Sequence, residues 1–202
     1  MQQAELFEQP GPLPAGFTYQ PEFLTPAEES ALIGIIQALP LREADYKQYV
    51  ARRRIVSYGG SYDFTRRELL PAGPIPDSLH PLRQRIADWT GIAANDFSHA
   101  LINEYQPGTP LGWHRDLPAF ESIVGVSLAG ECRMRLRPYP PAQGRNKDAI
   151  TLTIEPRSAY LMQDEARWNW QHAVSPTKEL RYSITFRTLA PKLAPAVDCC
   201  QS

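Results

Sequence analysis

A histidine and an aspartate two positions apart, His114 and Asp116, have types and spacing that could support metal chemistry. In an extended segment, side chains two residues apart point to the same face, so an imidazole and a carboxylate would lie side by side. Two imidazoles and one carboxylate form the ligand set of non-heme Fe(II) sites, which leave other coordination positions open. His172 is the only histidine after this pair, because His80 and His99 precede it. The alternative is a surface histidine beside a chance carboxylate.

Residues 180–187 follow His172 and alternate strictly between apolar and polar side chains. One face carries Tyr182, Ile184 and Phe186, and the other carries Arg181, Ser183, Thr185 and Arg187. This pattern allows two interpretations. The strand is half exposed with its arginines in water, or its polar face lines a barrel interior where the arginines hold a dicarboxylate. Guanidinium suits the second task, because it is always charged and pairs with carboxylates through two hydrogen bonds.

Together these motifs resemble the AlkB family of 2-oxoglutarate- and Fe(II)-dependent dioxygenases. The resemblance is carried by N-x-Y at Asn103 and Tyr105, by H-x-D at His114 and Asp116, by the distal His172, and by R-Y-x-x-T-F-R from Arg181 to Arg187. The last motif, preceded by N-x-Y, is the specific one, and a weaker similarity extends to residues 16–39. The resemblance implies that Fe(II) is held by His114, Asp116 and His172. It also implies that 2-oxoglutarate is bound by Asn103, Tyr105, Arg181 and Arg187.

The function implied by the resemblance is oxidative demethylation of N-alkylated bases in single-stranded DNA or RNA. The reaction consumes O2 and 2-oxoglutarate, with ascorbate as reductant in vitro, and releases formaldehyde, succinate and CO2. One departure bears on the substrate. Some repair members place an acidic residue just after H-x-D to read the flipped base, whereas this chain has Leu117-Pro118-Ala119-Phe120, with Glu121 the first carboxylate. The alternatives are the same chemistry on tRNA, protein or a small molecule, and a non-catalytic metal- and ketoacid-binding module.

Residues 51–66 combine arginines and aromatic rings around two glycines, a composition typical either of a hairpin packed on the core or of a nucleotide-recognition lid. The family carries such a lid in this region, and Arg53, Tyr58 and Gly59 match its R-x4-Y-G pattern. Substrate contacts are expected from five residues: Arg53, Tyr58, Tyr62, Trp113 and Arg167. For Arg167 the alternative is that it braces a strand, and for Trp113 that it is buried by packing.

The length of 202 residues suits a single domain, and the apolar content of 43% is typical of a globular protein. The formal net charge of −1 argues against indiscriminate nucleic-acid binding but allows a local basic face. Two candidates for such a face are Arg52–Arg54 with Arg66 and Arg67, and the alternating Arg133, Arg135 and Arg137. No long apolar run or signal peptide is present, so we expect a cytoplasmic monomer without a membrane span.

The order of elements predicts a mainly β, α+β domain with helices packed outside. A capping box at Thr25 and Glu28, with Pro26 at the first helical position, begins one helix. A second helix is expected over residues 77–90, ending at Gly91. Short strands then follow at residues 100–105, 122–128, 132–137, 149–154, 158–162, 172–174 and 180–188. The resemblance implies a double-stranded β-helix (jelly roll) core over residues 96–189, after a lead-in (1–15) and a segment of helices and lid (16–95), with a tail at 190–202.

Overall fold

The computed structural model describes residues 12–46, 49–63, 68–141 and 149–191. Most of the expected lead-in and tail, together with Arg66 and Arg67, lies outside these ranges. The strands are β1 Phe17–Gln20, β2 Arg42–Tyr46, β3 Tyr49–Tyr58, β4 Ser61–Asp63, β5 Glu68–Leu70, β6 Phe97–Tyr105, β7 Leu111–His114, β8 Phe120–Ala129, β9 Cys132–Pro138, β10 Ile150–Ile154, β11 Ala159–Met162, β12 Trp170–Val174 and β13 Arg181–Leu189. The helices are α1 Pro26–Gln37, α2 His80–Thr90 and α3 Asp164–Trp168, with 3-10 turns at Asp77–Leu79 and Ala94–Asp96.

Two antiparallel sheets form the framework. The major sheet has seven strands in the order β1-β11-β8-β13-β6-β3-β2, and the minor sheet has four in the order β10-β9-β12-β7. Strands β4 and β5 pair with each other. The predicted mainly β jelly-roll class with external helices is therefore confirmed. The major sheet also includes β1, β2 and β3 from the N-terminal segment, so residues 49–58 belong to the main framework.

Helix α1 begins at the predicted capping box, and α2 ends at the predicted Gly91 but begins at His80, because residues 77–79 form a 3-10 turn. The Thr25 hydroxyl accepts a hydrogen bond from the Glu28 backbone N–H, and the Glu28 carboxylate accepts one from the Thr25 N–H. Helix α2 has Pro81 in its first turn and ends at Gly91, whose φ of 74° is left-handed. The capping box of α1 and the left-handed Gly91 after α2 both supply partners for terminal backbone groups that the helix itself leaves unbonded.

The core has two layers on opposite faces of the major sheet. One layer packs α1 and α2 on the sheet and includes Ile36, Leu82 and Ile184. The other fills the space between the two sheets and includes Met134 and Ile154. Because strand side chains alternate, β13 places Tyr182, Ile184 and Phe186 in the helix-side layer and its polar residues between the sheets. A half-exposed β13 is therefore the wrong interpretation, since both faces are buried.

Candidate metal centre

A bulge in β7 directs His114 into the space between the sheets. Leu111 pairs with Val174 and His114 with His172, so three steps along β7 oppose two steps along β12. The extra residue lets both Leu111 and His114 face inward. His114 Nδ1 lies 2.8 Å from the Gly112 carbonyl oxygen. With Nδ1 as the donor in that hydrogen bond, Nε2 keeps its lone pair for a metal.

Asp116 follows the end of β7 and is fixed by an arginine of β13. The Arg187 Nε and Nη2 atoms lie 2.9 and 2.7 Å from the same carboxylate oxygen, Oδ1. The other oxygen, Oδ2, lies 3.6 Å from His172 Nε2. Burial would raise the pKa of Asp116, but the positive charge of Arg187, with that of Arg167, outweighs it and holds this pKa below its usual range. One carboxylate oxygen is therefore engaged, and the other is available as a ligand.

The two histidines of the cluster are held in their neutral form. Burial, followed by the neighbouring His114, lowers the pKa of His172 to about 3. Burial also lowers the pKa of His114. Because a neutral His172 carries no charge, its proximity to Asp116 is not an ion pair.

The three side chains fit a metal ion. Their ligand atoms all lie within 4.8 Å of one another, and the imidazole rings of His114 and His172 are 4.1 Å apart between centroids. Metal binding needs neutral imidazoles and an ionised carboxylate, and these are the forms favoured here. Two nitrogens and one oxygen suit Fe(II) and also Mn(II), Co(II) or Zn(II).

Arg181 lies deep between the sheets, and the described residues supply no charge partner for it. Its side chain is 2% exposed, its Nε donates to the Ser127 hydroxyl over 3.0 Å, and its guanidinium lies 5.1 Å from the centre of the Tyr105 ring. Among the described residues, no carboxylate forms an ion pair with it. A buried cation normally has an anionic partner. The arrangement is therefore suited to a carboxylate supplied by a ligand.

Asn103 and Tyr105 lie on the same face of β6, opposite Ser183 and Arg181 of β13. Asn103 Nδ2 donates to the Ser183 hydroxyl over 3.4 Å, and its Oδ1 is buried without a hydrogen-bond partner. Arg53 of β3 pairs in register with Tyr105, and its guanidinium lies 5.9 Å from the Tyr105 ring centre. Arg53 Nε is also buried without a partner. These unsatisfied groups lie on the side of the major sheet that faces the metal ligands.

Arg187 has a different neighbour from the one that the resemblance implies. Its guanidinium holds Asp116, and its Nη1 lies 3.4 Å from His99 Nδ1. Burial and the charge of Arg187 lower the pKa of His99 to about 3, so this imidazole accepts the hydrogen bond in its neutral form. Arg187 therefore positions the ligand Asp116, and its contact with the cosubstrate stays a prediction.

Three residues expected to contact substrate lie elsewhere. Tyr58 packs in the helix-side core, on the face of the major sheet opposite the metal ligands. Trp113 points to the outer face of the minor sheet, where Arg137 lies 4.2 Å from its ring centre. Arg167 is buried and donates to the carbonyl oxygens of Asp116, Leu117 and Phe120, so it braces this loop. Tyr62 lies in β4, and its side chain is outside the described part of the structure.

Sequence reasoning missed two residues of this site, Ser127 and His99. Ser127 is the one polar side chain in the buried stretch 123–128 of β8, and that pattern is the available signal. His99 shares the inward face of β6 with Asn103 and Tyr105. The alternation of side chains along residues 97–105 predicts this shared face.

None of the helices in the described part of the chain combines the length and apolar character needed to cross a membrane.

A family model described as "2OG-Fe(II) oxygenase superfamily" matches residues 16–187. The "Alkylated DNA repair protein ALKBH8 homolog" of Arabidopsis thaliana is 29% identical over 180 residues, which cover 79% of this chain and 50% of that protein. The "Probable RNA/DNA demethylase ALKBH6" of Danio rerio is 23% identical over 164 residues, which cover 77% of this chain and 68% of that protein.

Among solved structures, "The structure of OsALKBH1" matches with a TM-score of 0.66 at 17% identity, over 89% of this chain and 100% of that chain. That likeness concerns the fold. The chain spans half the length of the Arabidopsis relative. The family model, in contrast, spans all the residues of the candidate metal and 2-oxoglutarate sites. The chain therefore belongs to the 2OG-Fe(II) oxygenase superfamily, is AlkB-like in sequence and fold, and has Fe(II), 2-oxoglutarate and O2 as the cofactors that this family implies.

Proposed function

We propose that this protein is a 2-oxoglutarate-dependent dioxygenase that oxidatively demethylates N-alkylated bases in single-stranded DNA or RNA. The observation that carries the proposal is the buried, unpaired Arg181 beside a triad of two neutral imidazoles and one carboxylate. A structural arginine in such a place would be costly without an anion, whereas a site for a dicarboxylate needs it. The family match supports the same interpretation.

In this proposal His114, Asp116 and His172 hold Fe(II). Bound Fe(II), with 2-oxoglutarate and O2, supplies oxidation of a substrate C–H bond while the ketoacid is converted to succinate and CO2. An N-methyl group hydroxylated in this way leaves as formaldehyde, and the unmodified base is restored; for 1-methyladenine or 3-methylcytosine a proton is released and the ring nitrogen regains its lone pair.

The remaining residues bind and orient the cosubstrate and the metal. Arg181 pairs with the distal carboxylate of 2-oxoglutarate, and beside it the Tyr105 hydroxyl and the second N–H of the Asn103 side-chain amide are donors for the oxygens of the cosubstrate. Arg187 keeps Asp116 Oδ2 directed at the metal by occupying Oδ1. Arg167 fixes the loop that carries Asp116, so this ligand is held from two directions.

A base must leave the stack to reach a centre between two sheets. The expected role of Arg53 in substrate binding is supported by its unsatisfied Nε and by the position of its guanidinium beside the Tyr105 ring. The Arabidopsis and zebrafish relatives are named for alkylated DNA repair and for RNA/DNA demethylation, which supports a nucleic acid as the substrate.

The same oxygenase chemistry on tRNA, protein or a small molecule is the second candidate. It is favoured by the loop after H-x-D, where Pro118 offers no hydrogen bond and Arg167 fixes the backbone. The first carboxylate beyond the motif, Glu121, already accepts a hydrogen bond from Trp168 Nε1 over 3.2 Å. Base recognition by an acidic residue in this loop is therefore not available.

The test is incubation of anaerobically Fe(II)-loaded protein with 2-oxoglutarate, ascorbate, O2 and an oligonucleotide carrying 1-methyladenine or 3-methylcytosine. Methyl loss is followed by mass spectrometry and succinate by a parallel assay, on DNA and RNA strands of the same sequence. We expect methyl loss that requires both Fe(II) and 2-oxoglutarate. Succinate formation without methyl loss would contradict demethylation of these bases and favour the second candidate, the same oxygenase chemistry on another substrate. Absence of both products from folded, iron-loaded protein would leave a non-catalytic binding module.

A further inference from the structure

The inner face of the major sheet holds a tyrosine that the proposed reaction does not use. Tyr160 of β11 pairs in register with Gly125 of β8, and Gly125 pairs with Thr185 of β13. Tyr160 belongs to the core layer between the two sheets, whereas its neighbour Leu161 belongs to the helix-side layer. Since Thr185 shares the polar face of β13 with Arg181, the Tyr160 side chain lies on the same side of the sheet as the candidate 2-oxoglutarate site.

Gly125 leaves the room that the Tyr160 ring occupies. A methyl group added at Gly125 would overlap the Cζ, Cε1 and hydroxyl oxygen atoms of Tyr160. The phenol therefore fills the space that a side chain at position 125 would take. Phe17 of β1 stacks on the Tyr160 ring with 5.9 Å between centroids and 6° between planes, which holds the ring in place. The ring thus crosses from β11 over β8, and β13 is the next strand in that direction.

The Tyr160 hydroxyl is a buried donor. Tyr160 is 7% exposed, and within the described part of the chain no residue accepts a hydrogen bond from its hydroxyl. Burial raises the pKa of the phenol well above its usual range, so the hydroxyl keeps its proton. A buried hydroxyl without an acceptor is unfavourable, so this group is suited to an acceptor that a ligand brings.

The position of the hydroxyl points to the end of the site that Arg181 marks. The charges of Arg181 and Asp116 act on the pKa of Tyr160 in opposite directions, and the effect of Arg181 is the larger. Asn103 and Tyr105 lie on β6, which pairs with β13 along the edge away from β8. A dicarboxylate that extends along β13 from the metal ligands to Arg181 would therefore have the β6 donors on one side and Tyr160 on the other.

We propose that the Tyr160 hydroxyl donates a hydrogen bond to the distal carboxylate of 2-oxoglutarate, the same carboxylate that Arg181 pairs with. This inference rests on the cosubstrate site of the proposed function, which it deepens. A carboxylate accepts more hydrogen bonds than one guanidinium supplies, so the phenol and Arg181 bind it together. The glycine at position 125 is then a requirement of cosubstrate binding, because a larger residue there would displace the phenol.

The test is calorimetric titration of 2-oxoglutarate into Mn(II)-loaded protein, which measures binding without turnover. The variant is Tyr160→Phe, which removes the hydroxyl and keeps the ring over Gly125. Loss of a hydrogen bond to a charged acceptor should weaken 2-oxoglutarate binding roughly 10- to 150-fold. Because the hydroxyl has no acceptor among the described residues, the Tm of the ligand-free variant should equal or exceed that of the wild type. An unchanged Kd for 2-oxoglutarate would overturn the inference, and so would a lower ligand-free Tm with unchanged affinity.

Two controls make the result specific. Tyr182→Phe removes a phenol hydroxyl from a buried tyrosine on the helix-side face of β13, and it should bind 2-oxoglutarate as the wild type does. The second control changes the ligand to 2-oxopentanoate, which keeps the 2-keto acid and the chain length but has a methyl group in place of the distal carboxylate. Its weaker binding should be the same in the wild type and in Tyr160→Phe. An equal loss of affinity for the two ligands, or an equal loss in Tyr182→Phe, would overturn the assignment.

Failure of this inference and failure of the proposed function give different results. Methyl loss by the wild type, with equal 2-oxoglutarate affinity in Tyr160→Phe, would support the reaction and overturn the role of Tyr160. Weaker 2-oxoglutarate binding by Tyr160→Phe, with no methyl loss by the wild type, would support the hydroxyl contact and remove the proposed demethylation. Absence of 2-oxoglutarate binding by the Mn(II)-loaded wild type would overturn both.

Discussion

Replacing Arg181 with methionine distinguishes a cosubstrate-binding arginine from a structural one. In the protein without cosubstrate, Arg181 has one hydrogen bond to Ser127 and one cation–π contact with Tyr105. A hydrogen bond from a charged donor contributes about 1.5–3 kcal/mol, and a desolvated cation–π contact contributes about 2 kcal/mol. Removing the cation from water costs several kcal/mol. These contributions nearly cancel, so Arg181→Met should leave the free energy of unfolding within about 1 kcal/mol of the wild type.

The effect on cosubstrate binding should be much larger. Losing a buried hydrogen-bonded charge partner costs about 2–5 kcal/mol, which is roughly a 30- to 5,000-fold loss of 2-oxoglutarate affinity. Wild-type protein at a 2-oxoglutarate concentration of 100 times Kd gains about 2.7 kcal/mol, which raises Tm by roughly 5–11 °C for a domain of this size. At the same concentration the variant should gain at most about 0.9 kcal/mol, so its Tm should rise by no more than about 2–3 °C.

The assay is thermal unfolding with and without 2-oxoglutarate, with Mn(II) in place of Fe(II) to avoid turnover. Arg85→Met, on the half-exposed surface of α2, is the matched control and should change neither quantity. A full 2-oxoglutarate shift in Arg181→Met would refute the assignment of this arginine to the cosubstrate. A ligand-free Tm far below that of the wild type would instead identify Arg181 as part of the scaffold.

Three other changes test the centre. His172→Ala removes a metal ligand and should weaken Mn(II) or Fe(II) binding, measured by calorimetry. The loss of affinity should exceed the roughly 10- to 100-fold loss that follows when a residue supporting a ligand is removed. Unchanged affinity would contradict the triad. Arg167→Met should lower the free energy of unfolding by about 2–4 kcal/mol in denaturant titrations, since buried carbonyl oxygens lose their donor; a selective rise in KM for a nucleic acid would instead indicate a substrate role. Burial holds His99 neutral with a pKa of about 3, while in the unfolded chain His99 takes up a proton below about pH 6.5, so its contribution to stability is present above pH 6.5 and is lost as the pH falls toward 3. In metal-free protein, His99→Gln should therefore reduce the loss of stability between pH 7 and pH 5 by about 2 kcal/mol, and an unchanged loss would show that His99 is already charged in the fold.

Local chemistry made much of the framework predictable. The start of α1 depends on the capping box at Thr25 and Glu28, and the end of α2 depends on Gly91. These caps involve residues within one helical turn, so the local sequence is enough to predict them. Alternation in β13 likewise separates Arg181 and Arg187 from the apolar face. Periodicity identifies two faces but not what covers each one, and only the pairing of β13 between β8 and β6 decides that.

Two side chains lie on a different face from the one expected. Trp113 was expected near the substrate because it precedes His114, but the bulge opposite β12 turns the two side chains to opposite faces of the minor sheet. Tyr58 is expected to act with Arg53, but the two residues are five positions apart on β3, so their side chains lie on opposite faces of the strand. Arg53 points between the sheets and Tyr58 points toward the helices. A bulge and a choice of face both depend on partners distant in sequence, which one segment does not specify.

The last strand of the fold, β13, lies in the middle of the major sheet rather than at its edge. During synthesis, β6 and β8 therefore emerge with facing edges open, and the gap is filled only when residue 189 has left the ribosome. At about 5–20 residues per second, this interval lasts roughly 4–17 s after β6 is complete. Open edges beside apolar faces are templates for association with other chains, so nascent protein should rely on chaperones over that interval. Because Arg181 and Arg187 both lie on β13, insertion of this strand closes the major sheet and completes the proposed cosubstrate site in one folding step.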